Sequence, residues 1–274
     1  MPFDRVRAVV AVVAMLGLLL GSAEAGFRKG RNGRDTRDKA SQSIVESVQA
    51  SMLGLVGLLL AFALSMAESR FTERRHLITA EANAIGTSWL RAGLLNKPAA
   101  ADVRSLLAHY ADARVEFYDA GADRGRLDLA NAHAAALQRR LWAHAEEAGN
   151  ESHDPVTSLF IASLNDVFDR GTDRLSLLDD RVPIELRLTV LLAAVIATWT
   201  TGLRTGLTGR RSALALWLVP FMLGMGLTVT LDLDEPRMGV IRTGQVIMTQ
   251  LRDELAAQSP TEPREARPPR GALK

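Results

Sequence analysis

Three groups of polar residues stand where an otherwise apolar or small-residue sequence makes them informative. Asp232, Asp234 and Glu235 follow the apolar run that ends at Leu231, with Pro236 and Arg237 behind them. Carboxylates at the C-terminal end of a helix oppose its dipole and need compensation. Arginines such as Arg70, Arg75 or Arg237 would supply it as ion pairs; a divalent cation held by hard oxygen ligands is the other route. Glu81 and Asn83 interrupt the small, apolar stretch AEANAIG, where they would fix a neighbouring helix or line a vestibule. Glu24 closes the first apolar run with Arg28 one turn away. It reaches lipid headgroups there or, if buried in lipid, marks function.

Other chemistry is excluded by what the chain lacks. It has no cysteine, so disulfides, thiolate zinc sites, cysteine-ligated clusters and a cysteine nucleophile do not arise. There is no glycine-rich phosphate loop, no G-x-S-x-G elbow and no H-E-x-x-H. His76, His109, His133, His144 and His153 are scattered without metal spacing, and Asn165, Asp166, Asp169 and Arg170 share one helix as exposed faces routinely do. The expectation is no enzyme, no catalytic residue, no cofactor and no metal. A net charge of +2 from 33 basic and 31 acidic residues, with no aromatic-interleaved basic motif, argues against a nucleic-acid partner.

The elements that position these residues are dominated by apolar runs. The stretch SMLGLVGLLLAFALSMA is long enough to cross a bilayer and continues without a break into a charged, amphipathic segment that persists to Arg91, with Gly93 as a stop and Pro98 beyond. At about 1.5 Å per residue such a helix is roughly 60 Å long. Ala50, Gly54, Gly57, Ala61 and Ser65 make one stripe of small residues along it. That stripe serves helix packing or, in an oligomer whose copies surround one axis, lines a pore that Leu58 and Phe62 narrow; Leu58, Phe62 and Ser65 are the pore-lining candidates. The first apolar run, residues 8–25, follows Arg5 and Arg7 and is either a secretory signal with Ala23-x-Ala25 as its cleavage box or a retained span. The linker after it is basic, and Gly30 and Gly33 discourage helix there. Residues 100–183 read as helices without strand alternation.

Two further spans, about 186–203 and 212–231, flank the basic turn RTGLTGRR, with Pro220 inside the second. The whole is an all-α polytopic membrane protein with four transmembrane helices in two hairpins and a helical soluble domain between spans 2 and 3. The divisions are residues 1–67 for the first hairpin (second span about 50–67), 68–183 for the soluble domain and 184–232 for the second hairpin. An amphipathic segment, 233–258, and a disordered tail, 259–274, complete it. Counting Lys and Arg on the short loops puts residues 28–39 and 204–211 in the cytoplasm, with the helical region and both termini outside.

RFTERRHLITAEANAIGTSWLRAGLL, and LDLDEPRMGVI after the fourth span, resemble the motifs of the bestrophin-like domain family of bacterial membrane proteins; EAGFRKGR is similar to that family's first-span boundary. The resemblance covers nearly the whole chain and singles out Glu81, Asn83, Arg91, Asp232, Asp234 and Arg237. It implies a retained first helix, the bacterial inner membrane, and distant similarity to bestrophins, pentameric anion channels with a long second helix around the pore. It thereby implies a homo-oligomer in the lipid bilayer conducting small anions, with termini and helical region in the cytoplasm, against the loop charge count. The sequence departs from true bestrophins in lacking an aromatic neck triplet and a long acidic calcium-binding run. A reading from another class is a non-conducting sensor or scaffold whose helical domain binds a partner or ligand.

Overall fold

The computed structural model describes residues 2–33, 39–121, 123–179, 181–235 and 244–258. Among them are α1 (Pro2–Asn32), α2 (Lys39–Ala92), α3 (Lys97–Asp119), α4 (Arg124–Glu151), α5 (Pro155–Asp179), α6 (Ile184–Thr208), α7 (Val219–Asp234, entered through a π-helical turn at Leu214–Leu218) and α8 (Val246–Gln258). No strand occurs among the described residues. Four segments, Val9–Asn32, Gln42–Ala92, Ile184–Thr208 and Leu214–Asp234, are long and apolar enough to cross a membrane. The fold is therefore all-α, with two hairpins of membrane helices and a helical region between the second and third spans. It divides into a membrane unit, residues 1–75 and 176–243, and a helical unit, residues 76–175 and 244–274. α2 contributes to both.

In the membrane unit α1 lies along α6 at backbone contact distance. A Cβ on Gly26 would strike the Trp199 carbonyl oxygen, and one on Gly30 that of Leu203. From the other side, a Cβ on Gly202 would strike the Ala23 oxygen and one on Gly206 the Phe27 oxygen. The reading of Gly30 as a helix-discouraging loop residue is thus corrected: α1 runs on to Asn32, because in lipid close packing outweighs the roughly 1 kcal/mol propensity penalty of a glycine. Ala23, in the would-be cleavage box, is fully buried within this helix. Ser22 reinforces the crossing by donating to the Val195 carbonyl at 2.8 Å. The RTGLTGRR segment is likewise helical to Thr208, and the chain reverses at Gly209, whose φ of +72° is the left-handed C-cap that glycine tolerates.

Polar groups buried on α6 are satisfied locally. Thr198, Thr201 and Thr205 donate their hydroxyls to the carbonyls of Ala194, Ala197 and Thr201, four residues back, at 2.9, 2.8 and 2.8 Å. In a medium without water this is what an apolar span requires of its polar side chains. Leu19, Val56, Ala63, Val190, Ala194, Ala197 and Leu227 form the unit's apolar core.

The helical unit has its own core, in which Ile85, Leu107, Tyr110, Leu141, Phe160 and Leu164 are fully buried. Its helices start where the sequence supplies caps. Asn96 accepts from the Ala99 N–H at 3.3 Å ahead of α3, Asp123 from that of Arg126 at 3.2 Å ahead of α4, and Asp154 from that of Thr157 at 2.8 Å ahead of α5. The Ser152 hydroxyl and then the Thr157 amide hold the Asp154 carboxyl below its ordinary value. α2 stops before Gly93, where Arg104 fills the space a side chain would take: its guanidinium lies 4.0 Å from the Trp89 ring centroid and donates to the Trp89 carbonyl at 3.2 Å. α8 packs on this unit through Met248 and Leu255. The expected tail, 259–274, lies outside the described residues.

The α1–α6 crossing makes a direct prediction. Gly202→Ala should cost about 3 kcal/mol, because the group it strikes is backbone. Gly21→Ala, with nothing within 4 Å, should leave stability unchanged or slightly raised. Thermal unfolding of the two variants in one detergent, followed by size-exclusion chromatography, checks this.

Candidate functional site

Within the membrane unit α2 has two unlike faces. Gln49, Val56, Ala63, Ala67 and Arg74 are buried, and their spacing of seven or four places them on one stripe. The opposite stripe carries Ala50, Gly54, Gly57, Ala61 and Ser65, all exposed. A Cβ added at Gly54 or Gly57 would meet nothing within 4 Å. Leu58 and Phe62 beside this stripe are 55% and 59% exposed. The chain therefore uses none of its small-residue stripe for its own packing.

The rotation that presents this stripe outward is held by a polar cluster that sequence reasoning missed. Gln49 donates to the Thr201 hydroxyl at 3.2 Å, Arg204 donates to the Gln49 side-chain oxygen at 3.1 Å, and Arg204 also pairs with Glu46. A glutamine three residues after a glutamate, at the edge of an apolar run, was the available signal. On the first hairpin, Glu24 accepts from Arg28 at 3.0 Å and from Arg211 at 2.8 Å.

At the end of α7 the acidic group is tied into the same unit. Asp234 is 2% exposed, accepts from the Val182 N–H at 2.9 Å and faces Arg187 at 3.7 Å. Arg74 donates to the Leu233 and Asp234 carbonyls at 3.2 and 3.3 Å, satisfying orphan acceptors at the helix end. Glu235 pairs with Arg181 at 3.2 Å, and Asp232 is partly exposed. Arg187 and Arg181 thus meet the Asp234 and Glu235 carboxylates and Arg74 the helix-end carbonyls, three arginines beyond those the sequence suggested; Arg237 lies outside the described residues. Among the described residues no group of His, Asp or Glu is arranged to hold a metal ion.

In the helical unit Glu81 is completely buried. Arg114 of α3 donates to one carboxylate oxygen at 2.5 Å and Arg174 of α5 to the other at 2.6 Å. Asn83 is exposed, and Arg91 donates to the Leu159 carbonyl at 2.9 Å. Tyr110 is fully buried beside this triad and receives a hydrogen bond from Gln138 at 3.3 Å. Burial pushes the Tyr110 hydroxyl up to about 12, with Arg114 opposing the shift, and burial pushes Arg174 down against the favourable field of Glu81. The arrangement joins three helices, with both Glu81 oxygens engaged and Arg114 also donating to the Gly171 carbonyl at 3.5 Å.

Two outcomes follow. Glu81→Gln leaves two buried arginines without a counter-charge and should destabilise the fold by about 3–5 kcal/mol. Tyr110 is held protonated in the folded state above its ordinary value of 10.0. Its contribution is therefore intact below pH 10 and lost between 10 and about 12, by about 2–3 kcal/mol. Alkaline denaturation should be flatter over that range in Tyr110→Phe than in the parent, measured by circular dichroism.

A family model for the bestrophin-like domain matches residues 10–248. No curated protein matches the chain. Among solved structures, a bacterial bestrophin homologue from Klebsiella pneumoniae is 14% identical, with a TM-score of 0.64 over 92% of this chain and 100% of its own. A single-residue variant of a bacterial bestrophin homologue from the same organism is 13% identical, with a TM-score of 0.64 over 90% and 98%. At such identity the likeness is one of fold, and it is a membrane-protein fold. The family match spans most of the sequence: the chain belongs to the bestrophin-like domain family.

Proposed function

We propose that the chain assembles with copies of itself into an ion-conducting pore in the bacterial inner membrane, with the small-residue face of α2 turned to the shared axis. The observation that carries this is the exposed stripe from Ala50 to Ser65, on the side of α2 away from the buried Gln49 and Arg74, which are already engaged within the chain. A helix face in lipid gains little from apolar cover and much from close backbone packing, so an unused small-residue stripe favours further helices of the same kind. Leu58 and Phe62 would narrow such a pore and Ser65 would line one end. The family resemblance makes small anions the permeant species, and bestrophin-fold neighbours support a channel over an enzyme. If no current is carried, the sensor or scaffold reading takes its place.

The test is planar-bilayer recording of the purified protein, with Ser65→Cys in the otherwise cysteine-free chain. A membrane-impermeant thiol reagent should reduce the current several-fold in the variant and leave the parent untouched. Currents in both that ignore the reagent in every condition would remove Ser65 from the pore. The absence of any current in a folded preparation would remove the pore itself.

A further inference from the structure

Several helix ends meet at one end of the membrane unit. A Cβ on Gly206 would stand 2.7 Å from the Arg31 nitrogen, so the last turns of α1 and α6 lie side by side. Arg211, in the turn after α6, donates to Glu24 of α1 at 2.8 Å, and Arg204 of α6 pairs with Glu46 near the start of α2. Among the residues whose side chains are described, this end carries Arg28, Lys29, Arg31, Arg204, Arg210 and Arg211 against two acids, Glu24 and Glu46. Residues 34–39 add three basic and two acidic groups in sequence and do not change the sign.

Both acids are already engaged. Glu24 is shared by Arg28 and Arg211, and Glu46 is held by Arg204. Arg31 and Arg210 are exposed, and no ion pair among the described residues holds either of them. Glu24, Arg28 and Arg31 follow one another at helical spacing along one face of α1. The Arg211 guanidinium flanks that face, 5.4 Å from the Phe27 ring centroid.

The surface next to these cations decides which anion they fit. Leu214, Trp217 and Leu218 are 72%, 60% and 47% exposed, all within about 10 Å of chain from Arg211. Leu216 between them is buried with Ala23 and Phe27, which seats the start of α7 against α1. Large apolar side chains on the outside of a span meet acyl chains, and tryptophan favours the level of the headgroups. A soluble anion gains nothing from such a surface. A phospholipid brings its phosphate and its acyl chains to the two parts together.

We propose that this corner of the membrane unit, between the end of α1 and the start of α7, is a binding site for an anionic phospholipid. Arg31 and Arg210 meet the headgroup. Arg28 and Arg211 each spend one of five guanidinium donors on Glu24 and turn others to the phosphate, while the acyl chains lie along Leu214 and Trp217. The lipid thereby links α1 to α7 from outside and offsets the positive charge that two acids leave over. The site makes no use of the small-residue stripe of α2 and does not require the protein to conduct ions.

The test is native mass spectrometry of the full chain released from nanodiscs of equal phosphatidylglycerol and phosphatidylcholine. Phosphatidylglycerol should be retained in preference, and Arg31→Gln with Arg210→Gln should lower its retention roughly ten-fold. The charge-keeping pair Arg31→Lys with Arg210→Lys should restore most of it. Arg124→Gln with Arg126→Gln, the same charge change at exposed positions of the helical unit, should leave it unchanged. In detergent, added phosphatidylglycerol should raise the thermal midpoint of the parent saturably, and Trp217→Ala should weaken that rise. Equal retention of the two lipids overturns the proposal, as does an equal loss in the helical-unit control. Inorganic phosphate raising the midpoint as much as the lipid also overturns it, by making the site one for the free anion.

Discussion

In lipid, covering one apolar surface with another gains almost nothing, so membrane helices hold together where small residues let backbones touch and where buried polar groups find partners. The membrane unit is built on that constraint. Gly26 and Gly30 meet Gly202 and Gly206 so closely that a single methyl on any of them would strike a carbonyl oxygen. α2 carries a second supply of small residues, at Ala50, Gly54, Gly57 and Ala61, and the chain leaves it unused. The same physics that explains the contact made between α1 and α6 is the ground for proposing that a copy of the chain packs on α2.

Polar anchors then decide which face of α2 remains outward. In the membrane unit Gln49 is fixed between Thr201 and Arg204, and Arg74 closes the end of α7. In the helical unit Glu81 is gripped by Arg114 and Arg174. Each anchor is a buried group whose loss leaves an uncompensated charge or an orphaned donor, which costs more than the bond itself contributes. Rotating the membrane part of α2 about its axis would break the Gln49 and Arg74 anchors as well as the packing of Val56 and Ala63, so the outward presentation of the small stripe follows from buried polar satisfaction together with apolar packing.

How legible this was in the sequence varied with how local each cause is. The four apolar spans, the stop at Gly93 and the all-helical region between spans 2 and 3 follow from composition and period, and were readable. Gly30 was misread because intrinsic propensity argues against helix and only a partner helix reverses it. The acids after the fourth span were recognised as needing cations; Arg187 and Arg181, which meet Asp234 and Glu235, come from a segment that no local pattern links to them. Glu81 stood out as a polar residue in a small-residue run, whereas its partners lie 33 and 93 residues away, beyond any local pattern. The Gln49–Thr201–Arg204 cluster was missed for the same reason.

The proposed pore requires α2 to be shared between copies, and the most direct measurement is the native mass of the purified protein in nanodiscs. A single defined ring-sized assembly, with a pentamer the number the family resemblance implies, is the predicted result. A monomer, or a dimer that never grows, would leave the small face of α2 without an axis to surround and would contradict the account.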